Sequence, residues 1–260
     1  MKPLLQFSHA NGFPAPCYRA FLAALAKRFD VRYVPQFGHD PKYPVTDGWP
    51  HLVSELIAAV EQHGRPAIAV GHSLGGYLSF LAAARRPDLF RAVILLDAPI
   101  MSRFQGSALA FAKRVGFIDR VTLAGTTKGR RSTWPSADSA LAHFSSKPAF
   151  RTFDPRCLTD YVRYGTEPGG HGVVLRFDTE VEYNIYRTIP HDIQRAGRRL
   201  GVPGGIIVGT ESDLVARLGL RTSGRYLRIA SVDGGHLFPF EHPEPAAAAV
   251  IAMAKDLVPL

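Results

Sequence analysis

The sequence predicts an α/β fold: a mostly parallel sheet flanked by helices and interrupted by a helical insertion. Three observations carry this. Short apolar runs alternate with longer amphipathic stretches through the first hundred residues; Val93-Ile94-Leu95-Leu96 is apolar throughout, as a strand buried on both faces must be; and strand signals stop at about Arg103 and resume only after about Arg195.

Taken in order, residues 4–8 read as a strand and 18–29 as a helix, 31–35 as a strand and 52–63 as a helix, 67–70 as a strand and 74–86 as a helix. The run 93–96 makes a fourth strand. Within 103–195, residues 136–144, 155–164 and 181–187 place apolar side chains three and four apart, with Pro135 and Pro155 near helix starts, and no convincing buried strand interrupts them. Strands return at 205–208 and 226–230, and the Ala-rich stretch 245–257 closes as a helix. The expected organisation is a core of residues 1–102 and 196–260 with 103–195 inserted as a helical lid, or cap.

The 260 residues suffice for one large α/β domain carrying an inserted subdomain and leave little room for two unrelated full-size domains. A hydrophobic content of 46% with 20% charged residues is that of an ordinary globular chain. Met1-Lys2-Pro3 leads directly into the first strand, too short a run for a secretory signal, and no stretch approaches the roughly 20 apolar residues of a membrane span. Cys17 and Cys157 lie far apart without redox or zinc spacing, which suits a reducing compartment. A cytoplasmic protein is expected. The net charge of +9 would attract nucleic acid, an acidic membrane surface or an anionic substrate. No recognition helix or aromatic-basic motif accompanies it, so it reads as a solvated basic surface with no nucleic-acid partner.

The strongest chemical signal is Gly71-His72-Ser73-Leu74-Gly75-Gly76, lying between a strand and a helix. A G-x-S-x-G in that context is a turn so tight that neighbouring positions need glycine, and it lifts the serine hydroxyl over the carboxyl edge of the sheet. A serine hydroxyl needs a base, and the base a carboxylate, in the chain order serine, acid, histidine. Among ten histidines, His236 alone follows the last strand behind two glycines. Asp213, in the loop after the strand at 205–208, is the expected acid; Asp97, which ends the strand 93–96, is its rival. An oxyanion needs two N–H donors, one from Leu74 after the nucleophile and one from the turn Ser8-His9-Ala10-Asn11-Gly12-Phe13-Pro14, where Asn11 is placed to supply it.

In the combination and order of these motifs the chain resembles the α/β-hydrolase superfamily, in its lid-bearing single-domain branch. His9-Ala10-Asn11-Gly12 is similar to that family's oxyanion turn, Gly71 to Gly76 to its elbow, the 209–213 loop to its acid loop, and Gly235-His236-Leu237-Phe238-Pro239 to its histidine segment. Ala10 stands where many members have glycine. The resemblance also adds weight to Asp97, since some relatives take their acid from that strand end. Ser73 separates the chain from superfamily branches that attack with aspartate.

The motifs and the resemblance together imply a serine hydrolase acting on a carboxylic ester or thioester of a small molecule through an acyl-enzyme, with no metal or organic cofactor. A cofactor-free C–C bond hydrolase or lyase, and a non-catalytic small-molecule receptor on the same scaffold, are the alternatives. The lid segment carries fourteen Lys/Arg against nine Asp/Glu, which suits an anionic substrate, while Phe104, Phe111, Phe117, Trp134, Phe144, Tyr161, Tyr164 and Tyr186 suit an apolar acyl pocket or the lid's own core. Oligomeric state is not legible from the sequence.

Overall fold

A computed structural model describes residues 1–259. Six strands, β1 (Leu4–Ser8), β2 (Asp30–Tyr33), β3 (Ala67–His72), β4 (Phe90–Leu96), β8 (Gly204–Gly209) and β9 (Arg228–Val232), form one sheet in the order β2-β1-β3-β4-β8-β9, with every neighbouring pair parallel. The chain winds outward from β1 to β2, then crosses back to place β3 on the other side of β1. The carboxyl ends of β1 and β3 therefore flank the point where the winding reverses, the crevice in which open parallel sheets bind their ligands. The turn 8–14 leaves β1 there, and the serine turn leaves β3.

Because neighbouring side chains of a strand point to opposite faces, the central strands feed two cores. Leu5, Phe7, Ile68, Val70, Ile94 and Leu96 pack under helices α1 (Arg19–Ala26) and α13 (Pro243–Leu257). Leu4, Ala67, Ala69, Val93, Leu95 and Ile206 pack under α2 (Pro50–Glu61) and α3 (Leu74–Arg85). The edge strands β2 and β9 are partly exposed, which is why they carry weaker apolar patterns than the middle four.

Between β4 and β8 lies the segment read from the sequence as an insertion. Its helices are α4 (Arg103–Arg114), α5 (Ile118–Val121), α6 (Ala124–Thr127), α7 (Ala137–Ser145), α8 (Pro155–Gly165), α9 (Thr179–Arg187) and α10 (Gln194–Gly197). The segment is not purely helical as its spacing suggested. β5 (Thr133–Trp134), β6 (Thr166–Gly169) and β7 (Gly172–Leu175) pair antiparallel in the order β5-β7-β6. Two of these strands are only four residues long and the third only two, and they are mostly half-buried or exposed, so neither length nor period marks them. Aromatic packing ties the insertion to the core: Phe13 and Phe240 of the core lie 5.2 Å apart between ring centroids, Phe13 and Tyr161 5.1 Å, and Phe153 stacks on Phe240 at 4.9 Å. The remaining helices, α11 (Asp213–Leu218) and α12 (Phe238–Glu241), follow β8 and β9 and frame the site.

Candidate active site

Ser73 occupies the turn between β3 and α3 with φ +52° and ψ −112°, a backbone conformation that L side chains avoid. The turn is possible because its neighbours lack side chains. A Cβ on Gly71 would meet the carbonyl oxygen of Gly75 at 2.0 Å, and one on Gly75 would meet that of Ser8 at 2.0 Å. The Gly75 N–H donates to the carbonyl of His9 at 3.1 Å, locking the serine turn to the β1 turn.

His236 lies between Ser73 and Asp97. Its Nε2 is 3.1 Å from Ser73 Oγ and its Nδ1 is 2.6 Å from Asp97 Oδ2. A buried carboxylate only accepts, so Nδ1 carries the proton and Nε2 is left to accept from the serine hydroxyl, the tautomer that base catalysis needs. Asp97 is completely buried, whereas His236 has 30% of its side chain open to solvent. Three donors satisfy the buried carboxylate: Gly209 N–H to Oδ1 at 2.9 Å, and Ser212 Oγ–H (2.5 Å) and His236 Nδ1–H to Oδ2. Asp97 itself sits at φ +46°, so two of the three non-glycine residues with positive φ among the described residues belong to this constellation.

The carboxylate against His236 is thus that of Asp97 and not that of Asp213. Asp213 is exposed in the first turn of α11, one residue beyond Ser212, which caps that helix by accepting from the Val215 N–H. Both loops end at the same sheet edge, but the left-handed backbone at Asp97 turns its side chain across β8, and the β8 loop contributes Ser212 and the Gly209 N–H instead of a carboxylate.

Asn11 and Leu74, the two expected oxyanion donors, are both 3% exposed and flank the switch crevice. Among the described residues neither backbone N–H has a hydrogen-bond partner, so both are free to donate to a ligand atom. The Asn11 side chain is turned away, donating to the carbonyl of Glu182 in α9 at 2.9 Å.

Sequence reasoning missed the histidines that hold this geometry. His72 is completely buried, and burial pulls its ring down to a pKa of about 3, so it is neutral. Its Nε2–H donates to the backbone carbonyl of His236 at 2.8 Å; its Nδ1 accepts from the Tyr18 hydroxyl at 2.8 Å, and Tyr18 in turn accepts from the Ala10 N–H at 3.1 Å. One chain of bonds runs from the turn after β1 to the histidine loop. His9, pulled down by burial to about 4, donates from Nδ1 to the carbonyl of Ala10 at 2.8 Å and accepts the Phe37 N–H at 2.9 Å. The Glu241 carboxylate fixes the other end of the histidine loop by accepting the Gly235 N–H at 2.8 Å. Adjacency to Ser73 was the only sequence signal for His72.

Of the insertion's aromatic residues, Trp134, Phe144 and Tyr161 are buried, whereas Phe104, Phe111 and Phe117 face solvent. Among the described residues no cluster of side chains has the makings of a metal site, and no helix is long and apolar enough to cross a membrane.

Comparison with known proteins agrees with this architecture. The chain is 22% identical to E-2-(acetamidomethylene)succinate hydrolase, whose crystal structure it matches with a TM-score of 0.80 over 98% of this chain and 92% of that one. It superposes on the thioesterase domain from the curacin biosynthetic pathway with a TM-score of 0.74 at 14% identity, covering 96% and 91% of the two chains. In sequence, it is 27% identical over 135 residues to a type I acyl-CoA thioesterase of Penicillium brevicompactum, a match to half of this chain and 29% of that protein. It is 32% identical over 101 residues to 2-(acetamidomethylene)succinate hydrolase of Mesorhizobium japonicum, 36% of this chain and 35% of the relative. The matched region is thus about a third of these two relatives' own lengths. Residues 7–249 match the alpha/beta hydrolase family, and the chain belongs to it.

Proposed function

We propose that this protein is a serine hydrolase cleaving a carboxylic ester or thioester of a small molecule, with Ser73 as nucleophile, His236 as general base and acid, and Asp97 as the orienting carboxylate. The carrying observation is the imidazole of His236 held 2.6 Å from Asp97 and 3.1 Å from Ser73 Oγ. His236 Nε2 takes the serine proton as Oγ attacks the acyl carbon, and Asp97 stabilises the imidazolium. The N–H groups of Asn11 and Leu74 receive the developing oxyanion, helped by the amino-terminal end of α3 behind Ser73. His236 then protonates the departing alcohol or thiol, and in the second half draws a proton from water to release the acid and restore Ser73. The inserted subdomain serves as the lid over this crevice, its Glu182 carbonyl and Tyr161 hydroxyl meeting Asn11 and Gly12 of the oxyanion turn. The thioesterase and hydrolase names of the similar proteins support the acyl-transfer class.

The test is steady-state hydrolysis of p-nitrophenyl esters and acyl-CoA thioesters of increasing acyl length by the wild type and Ser73→Ala. Turnover that vanishes in the variant supports the proposal, and the ratio of the two series assigns ester or thioester. Absence of serine-dependent turnover on every member would overturn it in favour of C–C bond cleavage or a receptor role.

A further inference from the structure

Helix α4 presents an apolar stripe to solvent. Its inner side is fixed by Gly106, where a Cβ would meet the carbonyl oxygen of His191 at 2.0 Å, so the helix lies directly against residue 191. At 100° per residue, Phe104, Ala108, Phe111 and Val115 all fall within about 40° of the direction opposite Gly106. Phe104 is 83% exposed and Phe111 66%. Phe117, Val121 and Leu123 extend the exposed apolar surface through the next two turns. Isolated apolar residues on a surface need no account, but a run of large ones along one continuous segment does.

The charge around this stripe is one-sided. Residues 103–131 hold seven Lys/Arg and a single acid, Asp119. Lys113 pairs with Asp47 and Arg130 with Glu182, while Arg103, Arg114, Arg120, Lys128 and Arg131 are exposed and have no acidic partner among the described residues. Beside the stripe, Lys113, Arg114, Arg187 and His191 line a recess of about 440 Å³, into which Asp47 also faces. His191 Nδ1 is buried without a hydrogen-bond partner among the described residues. An apolar face rimmed by unpaired cations, next to a basic recess, is complementary to a phospholipid surface: the phenylalanines enter the acyl boundary while the cations meet headgroup phosphates. Pairing with a second copy through this face would set the same free cations against one another, an arrangement that costs free energy.

We propose that α4 and the segment through Leu123 form a peripheral docking surface for anionic phospholipid bilayers, with Phe104 and Phe111 as the inserting side chains and Arg114 and Arg120 among the headgroup contacts. This surface acts without a membrane span and independently of the reaction assigned to Ser73.

The full chain is sedimented with vesicles of phosphatidylcholine alone and of phosphatidylcholine mixed with phosphatidylglycerol, alongside the double variants Phe104→Ser/Phe111→Ser and Arg114→Glu/Arg120→Glu. Thermal unfolding midpoints of both variants should match the wild type, because the substituted positions are exposed. The expected result is at least about tenfold tighter partitioning onto the anionic vesicles, reduced about tenfold or more by either double variant. No preference for anionic vesicles would overturn the proposal. So would binding that Phe104→Ser/Phe111→Ser leaves unchanged, which would reduce it to a general effect of net charge. A dimer in sedimentation equilibrium that Phe104→Ser/Phe111→Ser converts to monomer would overturn it in favour of a second copy of the chain on this face.

Discussion

His72 donates its Nε2–H to the backbone carbonyl of His236 at 2.8 Å, so the residue before Ser73 holds the loop that carries His236. The same ring accepts from Tyr18, which accepts from Ala10, and the three parts of the site are set by one neutral imidazole. His72→Ala removes that bond and lets His236 shift. A fall in kcat of about ten- to a hundredfold with KM changed much less is expected, since misplacement of a catalytic group by even an ångström has effects of that size. Fold-changes of equal size in kcat and KM would contradict a positioning role.

Burial of His72 and His9 also makes stability depend on acid. Both rings have native pKa values far below the ordinary 6.5, at about 3 and about 4, so below pH 6.5 the unfolded chain binds protons that the native state refuses. Their contribution is complete above pH 6.5 and is lost progressively as pH falls toward 4, with a slope of at most about 3 kcal/mol per pH unit for the pair. Urea unfolding of the wild type and His72→Gln between pH 7 and 4.5 checks this; the variant should show a clearly shallower slope.

Glu55 gives the opposite sign. Burial pushes its carboxyl up to about 7 from an ordinary 4.5, and its one hydrogen bond among the described residues, from the Gly38 N–H at 3.3 Å, is weak compensation. Its native pKa is raised, so its favourable contribution is complete below pH 4.5 and is lost as pH rises through 7. Glu55→Gln should therefore be more stable than the wild type at pH 8, on the order of 2 kcal/mol, with the difference vanishing near pH 4.5. Denaturation midpoints at the two pH values decide it.

Asp97 and Asp213 separate cleanly by substitution. Asp97→Asn is expected to lower kcat by about ten-thousandfold, because an amide in that place favours the wrong tautomer of His236. Asp213→Asn, at an exposed helix start, should stay within about twofold of the wild type. The reverse pattern in kcat would return the acid to Asp213.

Ser212 is the residue by which the β8 loop reaches the site. Its hydroxyl donates to the same Asp97 oxygen that holds His236, and its Oγ also caps α11. Ser212→Ala is expected to lower kcat about tenfold and to cost about 1 kcal/mol of stability from the lost cap, with Ser212→Thr restoring most of both. Loss of stability without loss of kcat would limit Ser212 to the cap.

Where the sequence was legible, it was because one local pattern admits one geometry. Glycines two before and two after a serine, between a strand and a helix, leave almost no other turn, and Ser73 stands where that pattern put it. The central strands were legible because full burial demands unbroken apolar runs such as 93–96. Which aspartate meets His236 was not legible, since two loops at the same sheet edge each offered one and the outcome rests on the tertiary contacts of Asp97 with Gly209 and Ser212. The start of β9 was read two residues early, at Tyr226, because an exposed edge strand has no strict apolar period to mark its beginning. The buried roles of His72, His9 and Tyr18 are tertiary, set between turns far apart in the chain.

The most direct test of the central claim is covalent. The wild type, Ser73→Ala, Asp97→Asn and Asp213→Asn are treated with a fluorophosphonate, which phosphonylates serines activated by a neighbouring base, and the adduct is located by peptide mass mapping. A single adduct on Ser73, absent in Ser73→Ala, slowed strongly in Asp97→Asn and retained in Asp213→Asn, is the predicted result. An unlabelled Ser73 in a folded wild-type protein, or an adduct at another serine, would contradict the account.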